Sequence, residues 1–544
     1  MLGQILGQFS DLEVVPEERL TAASRKLGVS VDATDAAQLR KLADETGGWT
    51  AITGDVLATG ANVSVTARAM DIATSRVIAR ATAEIPPGSD PRDAFDRLSV
   101  RLLEPAGVPQ SAKSLASITT HSVDAFRATV HGLELYQRSR FREAEAEFER
   151  AVKLDSSFAL AWSAIAATAI AAGGVQVLTN PQSRAYRAIE QAVRHSSRLG
   201  PRDAKFVRAV YAMFRGEIRR ARQQFDSLFA ANPESLDIAY WVAVSQLLAA
   251  PVDTTVTPWR LQSSLNRAVR IAEMTMDRDP SRRTAYVPAW LAYALGAGLW
   301  WGDVYGHRRE YPSFALMLMA PAEERVSEVP VLRGDTLELM PRPVFDSLPS
   351  AEQERLRRRS AEVAWQWAER ALLAAPDDAD PHLWASHSAE LRGDYERAWR
   401  ELNVADSIGI QSAMDNIPGR RLSLLVKAGR FAEAATMADS LLAAGTLTTS
   451  PFLRVFDRRR AYGAAALLLA KRFDSAARMA AAMASREVPG CHSLRRELVG
   501  FRDAWIPEPL RQAIMDTVKA NLPLVNANPV LQPCAAILSD SIRP

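Results

Sequence analysis

The feature that most constrains this chain is an alanine that returns along its length in the same company. Around Ala144 stand Gly132 twelve residues before, Phe141 three before, Phe148 four after and Ala151 seven after. Ala221 has Ala209, Gly216 and Phe225 around it and Pro233 beyond; Ala398 has Gly393, Tyr395, Leu402 and Ala405. Ala434 lies between Gly429-x-Phe431 and Ala438, and Ala476 among Ala464, Phe473, Ala480 and Met483. Ala268 ahead of Pro280, and Trp367 and Ala371 ahead of Pro376, mark two further units. Small residues at this spacing let two helices approach closely. Aromatics fill the space between them, and a proline ends the helix it follows. Residues 122–486 therefore read as successive helical hairpins, roughly eight by their period.

This order resembles the tetratricopeptide repeat, a pair of antiparallel helices in about 34 residues. The intervals here are looser, 36 from Ala398 to Ala434 and 42 from Ala434 to Ala476. One hairpin cannot bury its apolar faces alone, so the resemblance implies neighbours stacked in a right-handed superhelix. It also implies a concave groove lined by the first helix of each unit. Carried onto this sequence, the groove residues are Phe126, Thr129, Leu133 and Tyr136 in the first unit. Phe206, Val210, Met213 and Phe214 follow in the Ala221 unit, and His387 and Glu390 in the Ala398 unit. The Lys/Asn set that grips a terminal carboxylate in part of the family is not found at these positions, so an apolar peptide is the expected ligand. Core packing accounts for the same aromatics equally well.

Residues 1–105 have a different pattern. "LEVVPEERLTAASRKLGVS" reads as a short strand and a helix, with Pro16 suited to the first helical turn. "DATDAAQLRKLADETGG" reads as a second helix, with Asp32 as its cap and Gly47-Gly48 as its stop. In "NVSVTARAMD" the period becomes two: Val63, Val65, Ala67 and Ala69 on one face, Asn62, Ser64, Thr66 and Arg68 on the other. With "WTAITGDVLATG" before it and "RVIARATAEI" after, this predicts a three-stranded meander, and "DPRDAFDRLSVRLL" returns as a helix. Thr53-Gly54 and the run Val63–Asp71 resemble the TolB-amino-terminal-like (FlgO-type) domain of bacterial proteins. Ser75-Arg76 stand where that family has a glycine in the following turn, and its opening strand has no counterpart here. The fold class expected is mainly α, a tetratricopeptide-like α-solenoid with a small N-terminal α+β domain (1–105). Residues 487–544 are read as capping helices and a tail.

Composition narrows the function. The net charge is +3, from 66 basic and 63 acidic residues, which argues against a polyanion-binding protein and so against a nucleic-acid partner. Arginine supplies 58 of those bases, a bias that suits a GC-rich genome, and Arg357–Arg359 and Arg458–Arg460 read as solvated helix faces. The uncharged stretch Thr284–Gly302 is barely long enough to span a bilayer and holds Pro288, Gly296 and Gly298, so it reads as a buried repeat helix. No basic region opens the chain, so no secretory signal is legible.

A catalytic constellation is equally hard to find. "GDVLATG" lacks the Lys-Ser/Thr ending of a phosphate loop, and there is no Gly-x-Ser-x-Gly elbow, no HExxH and no kinase HRD or DFG. His382 and His387 in "HLWASH" are five apart, which is wrong for two metal ligands on one helix face. Asp377, Asp378 and Asp380 precede a helix and read as its cap. Residues 303–350 hold six prolines, at 312, 321, 330, 341, 343 and 349, and read as an insertion within the array. The expectation is a non-enzymatic interaction scaffold of a bacterial signalling system, with a protein or peptide partner and no cofactor or metal. The alternatives are an enzyme with a site at the domain junction or under 303–350, and a cell-envelope assembly factor. As written the chain is expected in the cytoplasm, or outside the membrane if it is the sensor part of a truncated receptor. Cys491 and Cys534 bear on that choice. A bridge closing a loop of about 43 residues adds roughly 4 kcal/mol by loop entropy and persists only in an oxidising compartment; in a reducing one the two are separate thiols.

Overall fold

The repeating alanines sit where one helix turns back on another. In a computed structural model the described residues are 6, 13–30, 35–59, 62–103, 120, 122–138, 140–173, 182–233, 235–248, 250–278, 285–299, 304–307, 325–409, 417–445, 459–483, 508–529 and 531–532. The hairpins are α4 (Val123–Gln137) with α5 (Phe141–Leu154), α8 (Pro201–Phe214) with α9 (Ile218–Ala231), and α10 (Leu236–Leu248) with α11 (Leu265–Arg278); α6 (Ala159–Gly173) and α7 (Arg184–Arg194) come between α5 and α8 in the chain. After α12 (Tyr286–Gly296), α13 (Arg342–Asp346) and the long α14 (Ser350–Ala374) the pattern resumes. There α15 (Ala379–Leu391) pairs with α16 (Tyr395–Ile408), α17 (Ile417–Lys427) with α18 (Phe431–Ala443), and α19 (Arg459–Leu469) with α20 (Phe473–Met483). The fold is mainly α, an α-solenoid of tetratricopeptide-like hairpins.

Four reversals share one construction. In Arg215-Gly216-Glu217, Arg392-Gly393-Asp394, Ala428-Gly429-Arg430 and Ala470-Lys471-Arg472 the middle residue is left-handed, with φ of 74°, 80°, 76° and 58°. The N–H of the third residue donates to the carbonyl five residues back: Glu217 to Ala212 (2.9 Å), Asp394 to Ala389 (2.9 Å), Arg430 to Leu425 (2.8 Å) and Arg472 to Leu467 (2.8 Å). This satisfies a helix-end carbonyl that has no partner within its own helix. The carbonyl of the same third residue then accepts from Ala221, Ala398, Ala434 or Ala476, starting the second helix. The first hairpin follows suit, Arg140 donating to Leu135 (2.9 Å) and accepting from Ala144 (2.9 Å). None of the five alanines is more than 1% exposed. At Gly132 the helices are so close that a methyl group would lie 2.6 Å from the Phe148 ring.

By contacts the described residues fall into two compact units. One draws on Met1–Ala171, Asn180–Ala289 and Gly306–Val326, the other on Ala172–Thr179, Trp290–Tyr305 and Ser327–Pro544. In the first unit, α1 (Glu17–Leu27) and α2 (Ala36–Thr46) precede strands β1 (Thr50–Thr59), β2 (Asn62–Asp71) and β3 (Arg76–Ile85) and helix α3 (Pro91–Leu103). The sheet is an antiparallel meander of order β1-β2-β3. Val65, Ala67 and Ala69 of β2 face the core with Ala79, Ala81 and Ala83 of β3, under Ala94, Leu98 and Leu102 of α3. Ser75, in the turn between β2 and β3, adopts φ 57°. Its turn is held by Asp71, whose Oδ1 accepts from the Thr74 N–H (2.7 Å) and hydroxyl (2.6 Å).

Two arginines join this segment to the hairpins of its own unit. Arg92 is fully buried: its guanidinium pairs with Asp90 (2.6 Å), donates to the carbonyl of Thr120 and lies over the Phe126 ring at 5.2 Å. Burial pushes the Asp90 carboxyl up, but hydrogen bonds and charge from Arg92 outweigh it and hold the group below its usual range. At the other end of the segment, Arg25 donates to the carbonyl of Arg278 at 2.9 Å, and α1 packs on α11.

In the second unit a core of Leu422, Leu425, Ala434, Ala438, Tyr462, Ala465, Leu468, Ala476 and Met479 runs through two hairpins. It ends on Ile514 and Val518 of α21 (Glu508–Ala520) and Val525 of α22 (Leu522–Ala527), which close that core.

The structure refines several local expectations. The described part of 303–350 is structured: Arg325–Arg333 pairs antiparallel with Thr336–Pro341, Val329 opposite Met340 and Arg333 opposite Thr336. Val329, Val331, Met340 and Phe345 form a core with Leu356 of α14. The prolines do not prevent it: Pro330 stands opposite Leu339 in the hairpin, and Pro341 and Pro343 stand at the start of a helix. Helix α2 is capped by Asp35, whose carboxylate accepts from Ala37 and Gln38 (both 3.1 Å); Asp32 lies outside the described residues. Glu13–Pro16 forms no strand. Among the described residues no helix is long and apolar enough to cross a membrane, and α12 is 11 residues long.

Two predictions follow from the reversals. Gly132→Ala should destabilise the protein by about 1–3 kcal/mol through overpacking against Phe148, read from a denaturant midpoint. Lys471→Gly and Ser75→Gly should each gain about 1 kcal/mol, because these side chains sit at positive φ; an unchanged or lower midpoint would refute that account of the turns.

Candidate partner-binding surface

The residues expected to line a groove divide into three groups. The first group lies on α4. Its N-cap Ser122 accepts from the Ala125 N–H (3.1 Å), which sets the helix phase. Phe126 is half-buried beneath the Arg92 guanidinium, and Tyr136 is half-buried edge-on to Phe141, with 5.7 Å between centroids. Thr129 is buried and bonds back to the Ala125 carbonyl (2.9 Å). Leu133 is 44% exposed, and Val130, three residues earlier on the same side, is 41% exposed. Sequence reasoning missed Val130, although it stands four residues after Phe126, the spacing that keeps side chains on one helix face.

In the second group Val210, Met213 and Phe214 are core residues. They are 0%, 2% and 0% exposed, and Phe214 packs edge-on to Tyr186 at 5.6 Å. Phe206 is half-buried, with its ring against Phe225 (6.1 Å) and Trp241 (6.2 Å), which stack on each other at 5.6 Å. The groove assignment is therefore corrected for Val210, Met213 and Phe214, which are closed to solvent where a groove residue would be open; Phe206 keeps part of its surface open.

The third group, His387 and Glu390, is also corrected. Both are buried, 2% and 8% exposed, in a polar ladder that runs across the first helices of three hairpins in the second unit. Arg420 of α17 reaches back to α15, donating to Glu390 Oε2 (2.5 Å) and Ser386 Oγ (2.8 Å) and meeting His387 Nδ1 (2.6 Å). The last contact requires Nδ1 to accept, because a guanidinium can only donate. Lys427 Nζ donates to Glu390 Oε1 (2.7 Å), Ser423 Oγ donates to the same oxygen (3.2 Å), and the ammonium lies 5.7 Å from the Tyr462 ring centre on α19. Trp290 stacks on Trp384 at 5.7 Å and donates its indole N–H to Ser388 Oγ (2.9 Å). The arrangement meets the needs of a buried carboxylate by giving both its oxygens charged donors.

The other candidates resolve locally. His382 pairs with Glu401 (2.6 Å) and the Pro376 carbonyl (2.9 Å), apart from His387. Asp378 stands at the N-cap of α15 without a capping hydrogen bond from its side chain, and Asp380 is buried in the first turn. Among the described residues no cluster of three or more His, Cys, Asp or Glu could hold a metal ion. Cys491 and Cys534 lie outside the described residues.

No family model and no curated protein matches the chain. Similar solved structures include TTC0263, a thermophilic TPR protein of Thermus thermophilus (17% identity, 49% of this chain and 99% of that one, TM-score 0.29). An IFIT1 monomeric mutant with Gppp-AAAA is similar over 66% of this chain and 70% of that one (12% identity, TM-score 0.38). The TPR domain of P58(IPK) is similar over 76% and 97% (12% identity, TM-score 0.18).

The burial data predict two severe variants. Met213→Glu should cost about 4 kcal/mol or more by placing a charge in apolar packing. Glu390→Ala should cost about 3–5 kcal/mol by leaving Arg420 and Lys427 without their shared counter-charge. Urea denaturation reads both, and a loss below about 1 kcal/mol for either would contradict its assignment to the interior.

Proposed function

We propose that the chain is a non-enzymatic protein–protein interaction scaffold of a bacterial signalling system, and that α4 presents its partner-binding face. The observation that carries this reading is the pair Val130 and Leu133. Both are large apolar side chains open to water on the first helix of the first hairpin, and Phe126 and Tyr136 border them half-buried. The first helix of a hairpin is the element that repeat scaffolds of this kind turn toward a ligand. A partner helix or extended segment with two or three apolar anchors at helical spacing fits such a face. The signalling context rests on the pairing of a TolB-like α+β segment with tetratricopeptide-like hairpins, a pairing that resembles the non-kinase portion of bacterial signalling proteins.

The test is site-specific photocrosslinking from position 133 in the source cell, with the adduct identified by mass spectrometry. A defined protein should be captured, and Val130→Glu should weaken that capture at least about tenfold while stability changes by less than about 0.5 kcal/mol, as expected at an exposed site. Capture unaffected by Val130→Glu would refute the assignment of this face.

A further inference from the structure

The N-terminal sheet has two edges, and they are built differently. The β3 edge carries Arg76, Arg80 and Glu84, all exposed, the charges that usually keep an edge from pairing with another chain. The β1 edge has no lysine, arginine or proline along Thr50–Thr59. Its one charge, Asp55, is paired with Arg68 of β2 at 2.6 Å. Its apolar side chains are open: Ile52 is 41% exposed, Val56 70% and Leu57 65%.

The register shows which backbone groups point outward. The Ile72 N–H donates to the Trp49 carbonyl (3.1 Å), which makes 49 and 72 a hydrogen-bonded pair. Alternation down the ladder, Thr50 opposite Asp71 to Thr59 opposite Asn62, then turns the odd-numbered residues of β1 toward β2. Residues 50, 52, 54, 56 and 58 therefore aim their N–H and C=O groups away from the sheet. Ile52 and Val56 stand opposite Ala69 and Val65, so their side chains lie on the face that α3 covers at β2 and β3. At β1 that face is uncovered.

We infer that the β1 edge pairs antiparallel with β1 of a second copy of this chain, joining two three-stranded sheets into one of six strands about a two-fold axis at Gly54. In this register Gly54 lies opposite Gly54, and Ile52 of each copy opposite Val56 of the other, so four apolar side chains form a continuous patch on the open face. Thr50 meets Ala58. On the opposite face Asp55 of each copy falls beside Thr53 of the other. Sliding one copy by two residues in one direction sets Asp55 against Asp55, a like-charge pair that destabilises. Sliding it the other way sets Ile52 against Gly54 and breaks the apolar patch. One register thus satisfies both charge and apolar matching, and it is self-complementary, as a two-fold interface must be. The area is that of a strand pair, so the dimer is expected to form in the micromolar range, from about 1 to 100 µM.

Sedimentation equilibrium on the full chain across that range tests the pairing. The native protein should pass from monomer to dimer. Val56→Lys should weaken association at least about tenfold, and Val77→Lys, on the β3 edge, should leave it unchanged. A native chain that stays monomeric at the top of the range overturns the proposal, as does a Val56→Lys variant that dimerises like the native chain. Hydrogen exchange on the native protein keeps the answer independent of how the variants fold. The amides of Ile52, Gly54 and Val56 should be protected in step with concentration. Fast exchange at all concentrations refutes the pairing. Protection independent of concentration also refutes it, by showing that another segment of the same chain covers the edge.

Discussion

The hairpins depend on a reversal of three residues. Two helices can run back along each other over so short a connection only if one residue turns left-handed, and an L side chain there is strained. Glycine takes that position at 216, 393 and 429, and lysine at 471. The reversal also fixes phase: the carbonyl that ends it accepts the N–H of the anchoring alanine, which places a methyl group where the two helices are closest. The aromatics at Phe141, Tyr395, Phe431 and Phe473 open the second helix three residues before that alanine, beside the turn. The small–aromatic–alanine order is thus the chemical trace of one turn geometry used repeatedly.

That trace explains what could be read from the sequence. The hairpins and the β-meander were legible because each rests on local periodicity. Val63, Val65, Ala67 and Ala69 alternate, and Phe141, Ala144, Phe148 and Ala151 recur at helical spacing on a buried stripe. The groove was not, because the same stripe serves two purposes. A first helix in an array is packed on several sides, and nothing local separates Met213, which is core, from Leu133, which is open. Only the neighbours decide, and they lie in other helices of the array. The 325–341 hairpin was masked by its prolines, although alternation in "VSEVPVLR" and the Gly334 turn were there to be read; Gly334 has φ 58°.

The ladder of Ser386, His387, Glu390, Arg420 and Lys427 was invisible for a related reason. A charged residue on a helix is most simply read as solvent-facing. Glu390 is buried because Arg420, 30 residues on, and Lys427, 37 residues on, converge on it. The energetic signature of such a network is asymmetric. The intact set contributes modestly, since desolvating its charges offsets their attraction, while removing one member leaves the others stranded. Its contacts cross from one hairpin to the next, so they bear on how neighbouring hairpins are oriented.

The bond from Arg25 to the Arg278 carbonyl has a consequence in time. A repeat array ordinarily folds as it is synthesised, each hairpin docking on the last. Here α1 finds its packing surface on α11, 253 residues later in the chain. At a synthesis rate of about 5–20 residues per second, that surface emerges some 10–50 s after α1 does. Through that interval the apolar side of α1 has no α11 to cover it. The early, piecemeal folding of a simple repeat array is given up for a unit in which α1 is completed by a helix synthesised much later.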